Sequence, residues 1–89
     1  MSYTVKYHHD IPHDLAPIPQ NLKDLIRKAI DLRLMVNPLY GDPLKRDLHG
    51  FRKLRVRDYR IIYQVRGMEI QILKIGHRRD VYKTVKKRI

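Results

Sequence analysis

The spacing of hydrophobic positions changes along the chain, and each change indicates a different secondary structure. Between residues 20 and 36 apolar side chains recur every three or four positions, which predicts an amphipathic helix. From residue 51 onward apolar and polar positions alternate, which is typical of β-strands. The pattern predicts three strands, at about Phe51–Arg57, Tyr59–Val65 and Met68–Ile75, with Arg66-Gly67 as the hairpin turn between the last two.

Shorter elements complete the pattern at both ends of the chain. The alternating residues 3–7, YTVKY, predict a first strand, and Asp10 is a candidate N-cap for a short helix with Pro12 in its first turn. Asp80 is a candidate cap for a closing helix whose apolar side consists of Val81, Val85 and Ile89. The predicted order is β-α-α-β-β-β-α. It describes one small α+β domain over residues 1–89, with an antiparallel sheet and the helices packed on one face.

Charge is distributed unequally between the two halves of the chain. The 89 residues carry a formal net charge of +11, and residues 1–44 contribute none of it. Residues 45–89 hold fifteen basic and four acidic side chains, an asymmetry that favours a polyanionic partner, either nucleic acid or an acidic protein surface. The sequence has no cysteine, no signal-like N-terminus and no apolar run that would span a membrane. We therefore expect a cytoplasmic protein with no membrane partner.

Like charges are placed side by side in the first strand of the second half. Alternation predicts that Lys53, Arg55 and Arg57 share one face of this strand, with Leu54 and Val56 on the other. Neighbouring like charges repel, so the row carries an energetic cost in the free protein. A solvated surface is one interpretation of the row. The other is a binding face on which a phosphate relieves the repulsion.

Several segments together resemble a known protein family. The order of elements, the connector GDPLKRDLHG, the strand pair KLRVRDYRIIYQV and the terminal IGHRRDVYK are similar to the RelE/ParE superfamily of bacterial toxins, nearest its RelE-like branch. The resemblance covers almost the whole chain, and DYRIIYQV and GHRRDVY are its most specific parts. It implies a toxin of a bacterial type II toxin–antitoxin system, a ribosome-dependent endoribonuclease that cleaves mRNA in the ribosomal A site. It also implies a cognate RelB-like antitoxin of acidic or amphipathic character.

The resemblance also implies which residues form the site. Lys53 and Arg55 match the family's first basic pair, Arg60 its central arginine, Arg78 the arginine after the last strand and Tyr82 the tyrosine of the last helix. An alternative alignment would shift the basic pair to Arg52 and Leu54. A less certain catalytic candidate is His77, because histidine is the residue type best suited to proton transfer near neutral pH. Further basic residues are expected to bind RNA: Arg52, Arg57, Lys45, Arg46, Lys74 and Arg79.

Metal-free RNA cleavage provides a chemical reason for such a cluster. The ribose 2′-hydroxyl attacks the adjacent phosphate, and cations stabilise the negative charge that develops on the phosphoryl oxygens. Lys53 is the only basic residue on its face that can act as a base, because an arginine is not deprotonated. We expect no cofactor and no metal. His8, His9 and His13 suggest a metal site, but without a carboxylate or cysteine constellation we interpret them as solvent-facing.

Alternatives exist for single residues and for the whole protein. Arg60 either contacts phosphate or pairs with Asp58, and Tyr82 either stacks on a base or only seats the last helix. Lys53 and His77 are both candidates for the base. At the level of function, the alternatives are a ParE-like toxin that poisons DNA gyrase and a non-catalytic nucleic-acid-binding module.

Overall fold

The computed structural model describes residues 3–89 and contains five strands and three α-helices. The first part comprises β1 (Thr4–Tyr7), α1 (Ile11–Leu15) and α2 (Gln20–Ala29), which continues into a π-helical turn, Ile30–Leu34. The connector contains the short strand β2 (Asp42–Pro43) and a 3₁₀ turn, Arg46–Leu48. The second part comprises β3 (Arg52–Val56), β4 (Tyr59–Arg66), β5 (Glu69–His77) and α3 (Val81–Thr84), followed by a 3₁₀ turn, Val85–Arg88.

The strands form one sheet in the order β1-β5-β4-β3-β2. The pairings of β2 through β5 are antiparallel, which confirms the predicted α+β class and its three-strand meander. Strand β1 instead runs parallel to β5, with Val5 opposite Ile70. The prediction of an antiparallel sheet was therefore wrong for β1, because the alternation of side chains is the same in parallel and antiparallel strands. No helix in the part of the chain described above is long and apolar enough to cross a membrane.

Both tight turns of the meander differ from the predicted boundaries. The β4–β5 turn consists of Gly67-Met68 instead of Arg66-Gly67, and Gly67 has a φ of +58°, which glycine adopts without strain. The β3–β4 turn consists of Arg57-Asp58, and Arg57 has a φ of 57°. The prediction that Arg57 continues the row of Lys53 and Arg55 on the strand was therefore wrong. Arg57 lies in the turn, where the strand pattern no longer sets the direction of its side chain.

Helices α1 and α2 cover one face of the sheet and enclose the main core. Ile26, Ile30 and Leu34 follow one another at intervals of four residues and are almost fully buried. They pack against side chains of the central strands, including Ile61 and Ile72. Asp10 and Asp80 occupy the predicted N-cap positions, but neither side chain makes a capping hydrogen bond within the described residues.

A second, smaller core lies on the opposite face of the sheet. Ile62 follows Ile61 on β4 and therefore points the other way, where it packs against Val81 and Val85. The closing helix α3 thus departs from the expected arrangement, in which all helices share one face. The predicted apolar side of this helix is also shorter, because Ile89 is 64% exposed. The connector contributes Leu44, Leu48 and Phe51 to the same small core.

Candidate nucleic-acid interface

The pairing of β3 with β4 brings three predicted site residues to one face of the sheet. Arg55 lies opposite Arg60, and Lys53 lies opposite Ile62, which belongs to the small core beneath α3. Lys53, Arg55 and Arg60 therefore share the α3 face, and we refer to them as the basic cluster. Leu54 is buried in the main core on the other face. This geometry supports Lys53 and Arg55 as the basic pair over the shifted alignment.

Arg52 points away from the basic cluster and holds the connector. Its guanidinium donates hydrogen bonds to the carbonyl oxygens of Gly41 (2.7 Å) and Leu39 (3.3 Å). Opposite Arg52, the buried Tyr63 hydroxyl donates to the carbonyl of Pro38 (2.7 Å) and accepts from the N–H of Gly41 (2.9 Å). Burial raises the pKa of Tyr63, so the hydroxyl keeps its proton near neutrality. Arg52, predicted to bind RNA, thus has carbonyl partners within the protein.

The side chain of Arg60 is fixed at the β3–β4 turn. Its guanidinium donates to the carbonyl oxygens of Arg57 (3.0 Å) and Tyr59 (2.9 Å). Asp58, the alternative partner considered for Arg60, instead lies 3.7 Å from Nε of Arg78. The backbone N–H of Arg78 also donates to the carbonyl of Asp58 (2.7 Å). These contacts bring Arg78 beside the turn that anchors Arg60.

The hydroxyl of Tyr82 is subject to the positive charges of two members of the basic cluster, Arg60 and Arg55. Tyr82 is partly buried in the small core, and its hydroxyl oxygen is inaccessible and has no hydrogen-bond partner among the described residues. Burial raises the pKa of Tyr82, and the positive charges of Arg60 and Arg55 act in the opposite direction more weakly. At neutral pH the hydroxyl is therefore protonated and can donate a hydrogen bond. Tyr82 thus seats the last helix, and its protonated hydroxyl is enclosed in the small core, where the charges of Arg60 and Arg55 act on it.

His77 lies on the face of the sheet opposite the basic cluster. It pairs across the ladder with Tyr59, whose ring it contacts edge-on at a centroid distance of 5.7 Å. Tyr59 packs against the main core, and residues directly opposite each other in a ladder share a face, so His77 lies on that side of the sheet as well. Nδ1 of His77 accepts a hydrogen bond from the backbone N–H of Arg79 (3.2 Å). Of the two candidate bases, Lys53 is the one that the geometry supports.

The remaining residues predicted to bind RNA fall into two groups. Four are exposed: Lys45, Arg46, Arg57 and Arg79. Lys74 differs from them, because its side chain is only 13% exposed and its Nζ lies 3.6 Å from Asp14. The structure thus gives Lys74 a partner inside the protein.

The histidines near the N-terminus form a group of their own. Potential ligand atoms of His8, His9 and Asp10 lie within 4.8 Å of one another, whereas His13 is outside this group. The rings of His8 and His9 stack at 4.2 Å, and Nδ1 of His8 accepts a hydrogen bond from the N–H of Asp10 (3.1 Å). The group follows β1, at the edge of the sheet opposite β2 and β3. It is therefore separate from the basic cluster.

One ion pair that is largely shielded from solvent was not predicted from the sequence. Arg88 binds Asp14 through two hydrogen bonds, of 2.6 and 2.7 Å, across 74 positions of the chain. The sequence contains no signal for it. In the sequence, Asp14 is one polar residue of a predicted short helix, and Arg88 is one of several basic residues near the end of the closing helix.

Comparison with known proteins gives consistent matches over most of the chain. A family model described as the ParE toxin of the type II toxin–antitoxin system parDE matches residues 5–82. Toxin RelG of Mycobacterium tuberculosis is 30% identical over an alignment of 86 residues that covers 93% of this chain and 99% of RelG. The match with RelG thus spans nearly the full length of both chains, and the family model covers most of this one.

Solved structures show the same fold. The protein resembles one chain of the toxin–antitoxin complex RelBE2 from Mycobacterium tuberculosis, with a TM-score of 0.79 and 28% identity. The match covers 86% of this protein and 99% of the RelBE2 chain. A mutant of the Escherichia coli toxin RelE in the free state matches with a TM-score of 0.78 and 19% identity, over 100% of this chain and 99% of that chain. The second match, at this identity, bears on the fold alone.

Proposed function

Because the chain belongs to the RelE/ParE superfamily of type II toxin–antitoxin toxins, in its RelE-like branch, we propose that it is an endoribonuclease that cleaves mRNA in the ribosomal A site. One observation carries this proposal. The basic cluster shares a sheet face with the protonated Tyr82 hydroxyl, which has no partner among the described residues. A phosphate bound there would pair the cations. The Tyr82 hydroxyl, which solvent does not reach in the free protein, would move out of the small core to donate a hydrogen bond to that phosphate.

In the proposed reaction the 2′-oxygen of a ribose attacks the adjacent phosphorus in line. The bond from phosphorus to the 2′-oxygen forms while the bond to the 5′-oxygen breaks, leaving a 2′,3′-cyclic phosphate and a 5′-hydroxyl. Lys53, in its neutral form, accepts the proton of the 2′-hydroxyl, the leaving 5′-oxygen takes up a proton from water, and Lys53 later returns its proton to the solvent. Lys53 is the only member of the basic cluster that can exchange a proton in this way.

The arginines have an electrostatic role in the proposal. Arg60 is held by two turn carbonyls, so its guanidinium needs little reorganisation when charge develops on the phosphoryl oxygens. Arg55 lies opposite it, and Arg78 approaches from the neighbouring turn. Arginine binds phosphate through two parallel N–H donors, which a lysine cannot provide. Arg60 and Arg78 are therefore the residues that clamp the scissile phosphate.

We also propose a RelB-like antitoxin as the partner that silences the protein. The structural relative RelBE2 is a complex of toxin and antitoxin, and this chain has a net charge of +11 that an acidic or amphipathic chain would neutralise. Electrostatic docking predicts fast association that slows as salt is raised. An association rate that is unchanged between low and high salt would argue against docking on the basic surface.

Primer extension on programmed ribosomes tests the proposal. Wild-type protein should cut mRNA bound in the A site in the presence of EDTA, whereas Arg60→Ala should not, and naked mRNA serves as a second control. Absence of cleavage by folded wild-type protein would reject the nuclease. The family model bears the name of ParE, so gyrase supercoiling should be assayed in parallel. Gyrase-dependent DNA breaks would favour the gyrase poison, and binding without cleavage a non-catalytic module.

A further inference from the structure

The C-terminal segment that carries Tyr82 has few apolar contacts to hold it. Val81 and Val85 are its fully buried side chains, and Ile89 is 64% exposed. A segment held by two buried apolar side chains opens more easily than the rest of the core. Lys86 and Lys87 are exposed, as expected for a basic tail, but the side chain of Arg88 is only 11% exposed.

Arg88 is tied to two other parts of the fold. Its guanidinium donates to both carboxylate oxygens of Asp14, at 2.6 and 2.7 Å, and also to the carbonyl of Leu73 (3.2 Å). Two parallel charge-assisted bonds form the strongest common pairing of arginine and carboxylate. These hydrogen bonds link the 3₁₀ turn Val85–Arg88 to α1 and to β5.

Asp14 has contacts that fix it independently of Arg88. Its side chain is 4% exposed, and Oδ2 accepts a hydrogen bond from the backbone N–H of Ile75 (3.0 Å). The pairing of β1 with β5 ends at Ile72, so this carboxylate covers the edge of β5 beyond it. Burial alone would raise the pKa of Asp14, but the bonds from Arg88 and Ile75 and the charge of Lys74 lower it overall. Asp14 is therefore an ionised and pre-positioned anchor.

We infer that Asp14 and Arg88 are positioning residues, which hold the C-terminal segment so that the Tyr82 hydroxyl stays beside the basic cluster. Within the described residues that hydroxyl has no hydrogen bond of its own, so its place depends on Val81, Val85 and the attachments of the segment. Of these attachments, the Asp14–Arg88 pair is largely shielded from solvent, whereas the Lys86–Asp47 pair is exposed and contributes less. The functional part of the inference, that this position matters for cleavage, rests on the proposed function. The structural part does not.

Hydroxyl-radical footprinting of the full chain tests the structural part without any RNA. Tyr82 should be protected in the wild type relative to Tyr40, which is 52% exposed and serves as an internal reference. Asp14→Asn keeps the size of the side chain and Arg88→Met keeps its aliphatic stem, and both should raise the modification of Tyr82 several-fold. Lys87→Ala, in the same turn, should leave Tyr82 protected. Protection of Tyr82 in both folded variants would overturn the inference, whether or not the protein cleaves RNA.

Single-turnover cleavage tests the functional part. The two variants should cleave on the order of tenfold to 100-fold more slowly than wild type, the cost of displacing a catalytic group by about 1 Å. Lys87→Ala should cleave normally, and Arg88→Lys, which keeps the charge but not the paired donors, should fall between. Variants that expose Tyr82 and still cleave at the wild-type rate would overturn the positioning role. If the wild type does not cleave, the proposed function fails, and footprinting alone decides the inference.

Discussion

Arg55 and Arg60 lie directly opposite each other across the β3–β4 ladder. Like charges in this position destabilise a sheet, by roughly 0.2–1 kcal/mol on the scale of cross-strand pairs. Arg60 does not turn away into solvent, because two carbonyl oxygens at the adjoining turn hold its guanidinium. The free protein thus keeps two like-charged residues opposite each other, at an energetic cost that a bound phosphate would offset.

Replacing Arg60 tests this arrangement. Arg60→Ala should lower single-turnover cleavage by roughly 10²-fold or more, the usual cost of removing one transition-state donor, and leave the circular dichroism spectrum unchanged. Arg60→Lys should also be impaired, since lysine lacks the paired donors. The matched control is Arg66→Ala, an exposed arginine at the far end of the same strand. Wild-type cleavage by folded Arg60→Ala would refute a role for Arg60.

The identity of the base is tested by comparing Lys53 with His77. Lys53→Arg retains the positive charge but cannot exchange the proton, so RNA binding should persist while cleavage falls by about 10²–10⁴-fold. His77→Ala should cleave at close to the wild-type rate, since His77 lies on the other face of the sheet. Binding measured by filter retention and cleavage measured under single-turnover conditions separate these effects. Full activity of Lys53→Arg with inactivity of His77→Ala would reverse the assignment.

Tyr82→Phe should separate stability from activity. The substitution removes a buried hydroxyl that has no partner in the described part of the chain, so stability should stay equal or rise by up to about 1 kcal/mol. Cleavage should nevertheless fall by roughly 10²-fold, because the donor to the phosphate is lost. Urea unfolding and single-turnover rates measure the two effects. A variant that is both fully active and as stable as wild type would limit Tyr82 to seating the helix.

The Asp14–Arg88 pair should contribute stability that depends on pH. The pKa of Asp14 is lowered in the folded protein, so its contribution is complete above the unfolded pKa of about 3.9 and is lost as the pH falls through the lower folded pKa. Asp14→Asn should be less stable at pH 7 by about 1.5–3 kcal/mol, the worth of hydrogen bonds to a charged group. Below pH 4 the difference between variant and wild type should shrink. Urea unfolding at a series of pH values measures this, and a constant difference would contradict it.

Gly41 should not tolerate a side chain. A Cβ at this position would lie 2.6 Å from the carbonyl oxygen of Lys53 and 2.6 Å from the Tyr63 hydroxyl, both of which belong to well-packed elements. Gly41→Ala should therefore destabilise the protein by about 1–3 kcal/mol, the usual cost of overpacking. Asp42→Ala, at the exposed neighbouring position, should change stability by no more than about 0.5 kcal/mol. Equal melting temperatures of the two variants would show that the connector adjusts freely.

The spacing and chemical type of the residues were sufficient to predict much of the secondary structure and part of the basic cluster. The helical repeat of Ile26, Ile30 and Leu34 and the alternation of β3 to β5 follow from the local geometry of helix and strand. The same alternation predicted that Lys53 and Arg55 share a face while Leu54 is buried, and both features are present in the structure.

Features that depend on distant parts of the chain were decided only by the tertiary structure. The parallel direction of β1, the packing of α3 on the opposite face and the contact between Asp14 and Arg88 join segments far apart in sequence. The turn at Arg57 also depends on the register of β3 with β4. The alternating pattern alone does not fix that register to within one residue. The sequence by itself determined which residues carry charge and which apolar positions of α2 and of β3 to β5 are buried. Only the folded chain determined which cations meet, because side chains are brought together by pairing and packing that local periodicity does not encode.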